Sequence, residues 1–397
     1  MFLGFATNFE ANRLTPLRIG LLGFCAIPFV YYLLALYSTW RFFHSKEVQP
    51  DPSAFPPISN LKPVRGLDRD AYENFASLCR QDYPAEYELL FCVGDETDPA
   101  YPILQQLQRD FPNRQIRIFC GSQSTAVNDK CAKLARLLRE AQYETVVMND
   151  SDVRVSPDYL RTCVAPLTRP GVGGVTCLYA SVEEATFADS LQTVGMNADF
   201  FPGIFVAREL DGVKFALGTT IATTRGNLAA FGGYEALMDR PGDDLLVGRL
   251  IAEQGKRMEL LPYVVETVPD FASMGALYQK RLRWMTVMRH LRPWGHAGLI
   301  FTQGLPFSLL AALLMPRPAM ILGFFVPYFV LRGLTAWMVG GWGMKRKGTW
   351  KHMWMVPMWD AFAGVLWLHS FTRNTIQWRD HEYRISDGAL VAVPPQS

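Results

Sequence analysis

The sequence has no large excess of either charge and no closely spaced pair of cysteines. Its 39 Lys and Arg residues nearly balance its 37 Asp and Glu residues, so it lacks the general basic field that binds nucleic acid. The seven cysteines form no C-x-x-C pair and no tight cluster, which argues against a disulfide framework or a zinc site. An odd, scattered set of thiols indicates reduced cysteines in a cytosolic body.

Charged residues are also scarce, since they make up 19% of the 397 residues while hydrophobic residues make up 49%. This composition is apolar for a soluble enzyme of such length. The length allows one large domain with accessory segments, and the apolar excess lies at the two ends of the chain. The sequence therefore predicts a central domain between membrane segments.

The first apolar segment, residues 17–43, carries no charge between Arg18 and Arg41. About 20 apolar residues are enough to cross a bilayer. A cleavable signal peptide is the alternative, but the bulky Trp40 and its aromatic neighbours stand where small cleavage-site residues would be needed. We therefore predict a short N-terminal tail, residues 1–16, followed by a retained transmembrane anchor.

The C-terminal third contains three further apolar segments, at residues 299–315, 319–342 and 352–369. Arg332 lies in the second segment and Asp360 in the third, and a charge at the bilayer centre costs roughly 2.5–3.5 kcal/mol. We therefore predict a membrane region over residues 298–372. It contains two spans and a third segment that either crosses the membrane or is re-entrant.

Basic flanking residues predict the orientation of these segments. The loop KRKGTWK, residues 345–351, and the tail 373–397 with its three arginines are both expected on the cytoplasmic side by the positive-inside rule. Both can be cytoplasmic only if residues 352–369 are re-entrant or lie in the membrane interface.

Between the membrane segments, strand and helix patterns alternate over residues 55–297. The predicted strands are ISNLKPV, YELLFCV, RQIRIFC and ETVVMN, with amphipathic helices near residues 69–82, 100–110 and 128–141. Such alternation is typical of βαβ units with a mostly parallel sheet, in which ligands bind beyond the carboxyl ends of the strands. The sequence thus predicts an α/β domain over residues 44–297.

Carboxylates follow two of these strands at their carboxyl ends. Asp95 follows YELLFCV, and Asp150 and Asp152 follow ETVVMN as a D-x-D pair. Solvated turns explain single aspartates of this kind, and Asp98 before Pro99 fits that description. A D-x-D pair after a buried strand offers hard oxygen ligands to Mg²⁺ or Mn²⁺, which share their remaining positions with phosphates. We therefore predict a metal–diphosphate site here.

A second acidic pair begins the stretch DDLLVGRLIAEQG, which predicts a helix from Asp243 and Asp244 to Gly255. Capping of the helix explains Asp243 as well as a function does. The helix dipole is expected to lower the pKa of both carboxyls and to keep them ionised. The preceding GTT, residues 218–220, is interpreted either as part of an acceptor pocket or as a turn.

The stretch KRLRW, residues 280–284, combines three cations with an indole. On a helix, Lys280, Arg283 and Trp284 share one face. Cations and an indole suit a phosphate next to a sugar or acyl surface. A basic stripe against anionic lipid is the alternative, and it is our interpretation of Arg289 and Arg292.

In this order, Asp95, the D-x-D pair, GDD and KRLRW resemble the family-2-like inverting glycosyltransferases with a GT-A fold. The chain looks closest to the ceramide glucosyltransferases of family 21 and their bacterial relatives, including hopanoid-associated sugar transferases. The stretches LKPVRG, NDK, GGVTCLY, FGGYEAL and WRDHEYRI support the resemblance, which covers residues 60–292 and 378–385. It implies a GT-A type nucleotide-sugar-binding fold with N- and C-terminal transmembrane helices.

The resemblance also implies roles for the acidic residues. Asp95 would contact the nucleotide, and Asp150 and Asp152 would hold the divalent metal with the diphosphate. Asp150 would thereby also contact the nucleotide sugar. Asp244 matches the catalytic base, which takes the proton of a primary alcohol as the bond to the sugar forms.

Three basic positions and one aromatic position complete the implied nucleotide-sugar site. Arg283 and Trp284 match the last two residues of the (Q/R)-x-x-R-W motif, and Lys130 in NDK aligns with a family lysine near the nucleotide. Lys280 stands at the first position of the motif, where the family has Gln or Arg. This departure keeps a cation but loses the guanidinium fork.

The implied reaction is inverting transfer of a hexose from a UDP-sugar to the primary hydroxyl of a lipid, foremost from UDP-glucose to ceramide. The implied protein lies in a membrane, such as a bacterial inner membrane, with its catalytic domain facing the cytosol. N-acetylglucosaminyl transfer to a hopanoid lipid is an alternative, as are a processive polysaccharide synthase and an inactive membrane-anchored binding protein. Lys280 and the few spans argue against the synthase, and the intact acidic positions argue against an inactive protein.

Overall fold

The computed structural model describes residues 15–45, 55–378 and 381–393. Their contacts divide the chain into two compact units. The helical unit comprises the chain up to Ser45 together with Ser190–Glu209 and Tyr278–Asn374, and the sheet unit comprises the rest. The predicted domain 44–297 thus contributes residues 44–45, 190–209 and 278–297 to the helical unit. The start of the predicted N-terminal tail, Arg379 and the last residues of the C-terminal tail lie outside the described residues.

The sheet unit is built on an eight-stranded mixed sheet with the strand order β3-β2-β1-β4-β7-β6-β8-β5. The strands are β1 (Ile58–Pro63), β2 (Tyr87–Val93), β3 (Gln115–Cys120), β4 (Thr145–Met148), β5 (Val153–Arg154), β6 (Val172–Ser181), β7 (Ile221–Thr224) and β8 (Arg257–Thr267). The four strands predicted from the sequence are β1 to β4, which run parallel to one another. β7 runs antiparallel to both β4 and β6, and β5 runs antiparallel to β8. The predicted mixed, mostly parallel sheet is confirmed.

Helices follow most of the strands. In chain order they are α1 (Pro16–Cys25), α2 (Ile27–Phe43), α3 (Ala71–Cys79), α4 (Tyr101–Asp110), α5 (Asp129–Glu140), α6 (Tyr159–Val164), α7 (Phe187–Gly195), α8 (Phe201–Asp211), α9 (Arg225–Ala229), α10 (Asp243–Glu253), α11 (Met274–Leu291), α12 (Pro293–Gly298), α13 (Gly304–Leu314), α14 (Pro318–Trp337) and α15 (Val356–Ser370). The helices predicted near 69–82, 100–110 and 128–141 are α3, α4 and α5.

The central strands are buried along their whole length, which explains their nearly continuous apolar sequences. Every residue of β1, β2 and β4 is buried, as expected for parallel strands that are covered on both faces. Because β1, β2 and β4 run in the same direction, their carboxyl ends meet at one edge. That edge carries Asp95 and Asp150, as the sequence predicted.

The C-terminal tail is folded into a second, antiparallel sheet. Its strands are β9 (Thr375–Trp378), β10 (His381–Ser386) and β11 (Ala389–Ala392), with β10 in the middle. This tail sheet belongs to the sheet unit. The sequence predicted only a cytosolic tail at this position.

Within the part of the chain that the structure describes, the helical unit has two helical stretches that are long and apolar enough to cross a membrane. They are the 28 residues Pro16–Phe43, which match the predicted anchor, and the 26 residues Pro318–Gly343. A third candidate is the pair Pro293–Thr302 and Gly304–Leu314, which is bent by 53°. The segment predicted as a third or re-entrant span forms α15, a helix of 15 residues.

The two charges inside the apolar segments are paired with each other. Arg332 Nε lies 3.1 and 3.0 Å from the two carboxylate oxygens of Asp360, and the Tyr328 hydroxyl donates to Asp360 at 2.8 Å. Arg332 also donates to the carbonyl of Ala198. Both charged side chains are almost fully buried, at 2% exposure. From the sequence we treated the two buried charges as separate free-energy costs. In the structure each charge compensates the other.

We expect Asp360→Asn to destabilise the protein strongly, because it leaves the Arg332 guanidinium buried without its counter-charge. Breaking a buried ion pair on one side typically costs about 3–5 kcal/mol. Thermal unfolding in detergent micelles should show a lower melting temperature for this variant. The double variant Arg332→Met/Asp360→Leu removes both charges and should recover most of the loss. Equal melting of Asp360→Asn and the parent protein would show that the pair does not stabilise the fold.

Candidate active site

One lysine and two carboxylates from three elements meet at the carboxyl edge of the sheet. Asp150 follows β4, Lys130 lies in the first turn of α5, and Asp243 is the first residue of α10. The Lys130 ammonium is 2.7 Å from Asp150 Oδ1 and 3.1 Å from Asp243 Oδ2. Lys130 therefore bridges the D-x-D pair to the second acidic pair.

Asp244 joins this cluster through backbone donors. Its carboxylate accepts hydrogen bonds from the amides of Gly218, at 3.1 Å, and Leu245, at 2.8 Å. A Cβ atom added to Gly218 would lie 3.1 Å from Asp150 Oδ2 and 3.2 Å from Asp244 Oδ2. A side chain at position 218 would crowd these carboxylates, and Gly218 leaves room for them. The GTT stretch is thus part of the site as well as a turn.

The electrostatics of the cluster differ from the expectation based on the helix dipole alone. Burial, reinforced by the negative charge of Asp243, raises the pKa of Asp244 to about 6 despite the opposing effect of Lys130. The expectation of a lowered pKa was wrong for Asp244, because desolvation outweighs the helix terminus. Burial also acts to lower the pKa of Lys130, but Asp150, Asp243 and Asp244 outweigh it and raise the pKa well above its ordinary value.

A buried lysine contacts the backbone just after the D-x-D pair, and we did not identify it from the sequence. Lys62 in β1 has no exposed surface and its ammonium lies 3.4 Å from the carbonyl oxygen of Val153. Burial lowers the pKa of Lys62 to about 8, although Asp152 and Asp150 oppose the shift. The available signal was a lysine inside the predicted strand ISNLKPV.

Asp95 stands beside an open cleft at the ends of β2 and β3. The amide and hydroxyl groups of Thr97 donate to its carboxylate and lower its pKa. The cleft has a volume of about 650 Å³ and is lined by Gly94, Gly121, Ser122, Gln123, Ser124, Thr125 and Asp129. This volume lies in the range of small-molecule sites, about 300–1,000 Å³. The polar run 121–125 was not singled out from the sequence.

Asp98 serves the turn, as the sequence suggested, and one further contact. It accepts hydrogen bonds from the amides of Ala100, at 3.0 Å, and Gly66, at 3.1 Å. Asp98 therefore ties the loop after β1 to the loop after β2.

The D-x-D residues have the chemistry of ligands for a hard divalent cation. The side chains of Asp150 and Asp152 are only partly buried, and both offer carboxylate oxygens. Among the described residues, no group of three or more His, Cys, Asp or Glu side chains is arranged to hold a metal ion. Two carboxylates fit Mg²⁺ or Mn²⁺ when phosphates and water supply the other ligands.

The KRLRW residues lie in the part of α11 that belongs to the helical unit. Lys280 stands 5.7 Å over the ring of Trp284, so the predicted shared face is confirmed for this pair. Arg281 is buried between two indoles, 4.8 Å from both Trp284 and Trp359, and donates to Gln192 Oε1 at 2.7 Å. Arg283 occupies the same helix and is half-buried.

Arg289, which we interpreted from the sequence as a lipid contact, hydrogen-bonds to the chain in the structure. Its guanidinium donates to the carbonyls of Phe371 and Arg373 and to Asn374 Oδ1, at 2.7–3.0 Å. It therefore fixes the segment that follows α15.

Known proteins resemble the chain along most of its length. Ceramide glucosyltransferase 1 of Caenorhabditis elegans is 21% identical over 386 residues, which cover 94% of this chain and 81% of the worm protein. Ceramide glucosyltransferase 3 of the same organism is 24% identical over 95% of this chain and 83% of its own. The ceramide glucosyltransferase of Gibberella zeae is 32% identical over a shorter stretch, 32% of this chain and 26% of its own.

The fold also has a counterpart among solved structures. The mannosyltransferase PcManGT of Pyrobaculum calidifontis, in complex with GDP-Man and Mn²⁺, superposes with a TM-score of 0.54 at 20% identity. The match covers 88% of this chain and 97% of that one. At this identity the likeness shows the fold alone, and it confirms the predicted GT-A class. The sequence profile described as glycosyl transferase family 21 matches residues 20–391, so the chain belongs to that family and is a glycosyltransferase.

Proposed function

We propose that the protein is a membrane-bound inverting enzyme that transfers a hexose from a UDP-sugar to the primary hydroxyl of a lipid, foremost from UDP-glucose to ceramide. One observation carries this proposal, namely the meeting of Asp150, Lys130 and Asp244 around Gly218 at the carboxyl edge of the sheet. The similarity to ceramide glucosyltransferases along the chain supports the choice of donor and acceptor. The two long apolar helices support a membrane location.

Asp244 is the general base in this proposal. A base must be ionised to accept a proton, and it works best when its pKa lies near the working pH. A pKa of about 6 meets both conditions at neutral pH. The two backbone amides that donate to Asp244 fix the direction of its carboxylate. A single base suits one in-line displacement with inversion at the anomeric carbon.

Asp150, Asp152 and Lys130 face the diphosphate of the donor in this proposal. A divalent cation bound by the two aspartates would neutralise the negative charge of the departing diphosphate. Lys130 adds a fixed positive charge 2.7 Å from Asp150. Asp243 holds Lys130 in place, and its negative charge also raises the pKa of Asp244. The nucleoside occupies the cleft beside Asp95.

Transfer can be tested directly with the purified full-length protein in detergent. Incubation with UDP-glucose, ceramide and Mn²⁺ should give glucosylceramide, detected by mass spectrometry, together with free UDP. The β configuration of the product would demonstrate inversion. Release of glucose without any glycolipid, at the same rate with and without ceramide, would contradict a lipid acceptor.

We expect Asp244→Asn to lower kcat by about 10²–10⁴-fold, because it removes the general base. In the parent protein, activity should rise as the pH increases through about 6, where Asp244 becomes ionised. Asp243→Asn should keep measurable turnover. It removes a neighbouring negative charge, so the rise in activity should move to lower pH. Both variants require kcat measured against pH at saturating UDP-glucose.

The two aspartates have opposite outcomes in this test, and each serves as the control for the other. If Asp243→Asn were the inactive variant and Asp244→Asn turned over normally, the assignment of the base would be wrong. A pH profile of Asp243→Asn identical to that of the parent protein would contradict the electrostatic coupling.

Asp152→Asn should abolish turnover and weaken UDP binding in the presence of Mn²⁺ by at least about tenfold, because one metal ligand is lost. Calorimetry with UDP can measure this, first with Mn²⁺ and then with EDTA. In EDTA the variant and the parent protein should bind UDP equally. Asp82→Asn is a matched control, since Asp82 is an exposed carboxylate of the same unit. Unchanged Mn²⁺-dependent binding by Asp152→Asn would contradict the metal assignment.

The orientation of the sheet unit can be tested at one thiol. Cys120 is partly exposed, whereas the other six cysteines are buried. If this unit faces the cytosol, an impermeant maleimide should label Cys120 only after sealed cells are permeabilised. The Cys120→Ser variant should remain unlabelled in both conditions. Labelling of Cys120 in sealed cells would place the unit on the outer side.

A further inference from the structure

The tail sheet has one buried and one exposed face. Register pairs Ile385 with Leu390, and Tyr383 with Ile376, so these side chains point to the same side. Ile376, Ile385 and Leu390 are only 3–5% exposed. Val391, the neighbour of Leu390 on the opposite face, is 52% exposed. A three-stranded sheet cannot bury one of its own faces, so this face packs against the rest of the sheet unit.

The tail also makes a directed contact with the segment 238–240. The amide of Leu390 donates to the carbonyl oxygen of Asp239 at 2.7 Å. Because Leu390 N–H bonds outside the hairpin ladder, this contact links the tail to another part of the unit. The segment 238–240 lies just before Gly242 and the acidic pair Asp243–Asp244.

The same segment holds the turn that presents Lys130. The amide of Asn128 donates to the Met238 carbonyl at 2.7 Å, and its side-chain amide donates to the Arg240 carbonyl at 3.1 Å. Asn128 is fully buried, and its side-chain oxygen accepts from Cys131 N to cap α5. Lys130 is the second residue of that helix. The segment 238–240 therefore hydrogen-bonds both to the tail and to the turn that carries Lys130.

We propose that the tail sheet is a positioning element of the active site. It holds the segment 238–240, which fixes both the cap of α5 and the start of α10, and so sets the distance of Lys130 from Asp150 and Asp243. The hydrogen bond from Leu390 to Asp239 places the tail next to the segment 238–240, and through this segment the tail acts on the acidic cluster. This inference rests on the proposed function, in which Lys130 faces the diphosphate.

Leu390→Asp should weaken UDP binding in Mn²⁺ and lower kcat/KM for UDP-glucose by about 10- to 100-fold, because small misplacements far from the chemistry have effects of this size. Val391→Asp introduces the same charge one residue away on the exposed face, and it should stay within about twofold of the parent protein. An equal loss in both variants would overturn the proposal.

A double-mutant cycle separates positioning from general stabilisation. If the tail acts through Lys130, adding Leu390→Asp to Lys130→Met should weaken UDP binding less than about twofold further, since coupled residues are not additive. An unchanged tenfold or larger effect in that background would overturn the proposal. Leu390→Ala, measured in the same cycle, takes the place of Leu390→Asp if the latter lowers the melting temperature.

The parent protein distinguishes this inference from the proposed function. Failure of the parent protein to bind UDP in Mn²⁺ would contradict the proposed function itself. If the parent protein and Leu390→Asp both bound UDP normally, the positioning role of the tail would be contradicted and the proposed function would stand.

Discussion

The arrangement at the carboxyl edge of the sheet depends on one ammonium group. The fold brings the carboxylate that follows β4, Asp150, close to the two at the start of α10, Asp243 and Asp244. Carboxylates this close repel one another. At an effective dielectric constant of about 20, two unit charges about 4 Å apart interact by about 4 kcal/mol. Lys130 lies within 3.1 Å of two of these carboxylates and opposes that repulsion. The cap of α5, the turn at Gly218 and the start of α10 all serve to place this cation among the acids.

Local sequence patterns were enough to predict the part of the fold that carries the site. The buried runs of β1 to β4 and the amphipathic helices between them follow from period and composition. Parallel strands then bring their following residues to one edge, which is why the sequence predicted the position of Asp95 and Asp150 at that edge. The acidic pair of α10 was recognisable because carboxylates favour helix N-termini.

What the sequence did not predict arises from contacts between distant residues. The pKa of Asp244 depends on burial and on the exact neighbours of its carboxyl, neither of which is local. Lys62 was read as a strand residue because its role depends on Val153, some ninety positions away in the chain. The pairing of Arg332 with Asp360 and the docking of Leu390 on Asp239 are likewise long-range. In each case the residues can be identified in the sequence, but their contact partners depend on the three-dimensional fold.

The path of the chain between the two units limits how the protein can be divided. Residues 190–209 leave the sheet unit and return to it, and within the helical unit Phe205 stacks on Phe42 with ring centroids 4.6 Å apart. A fragment that begins after Ser45 keeps residues 190–209 but lacks Phe42, the stacking partner of Phe205. Removal of the C-terminal helices would also cut the chain ahead of the tail sheet, which belongs to the sheet unit. No single cut in the polypeptide can therefore separate the two units.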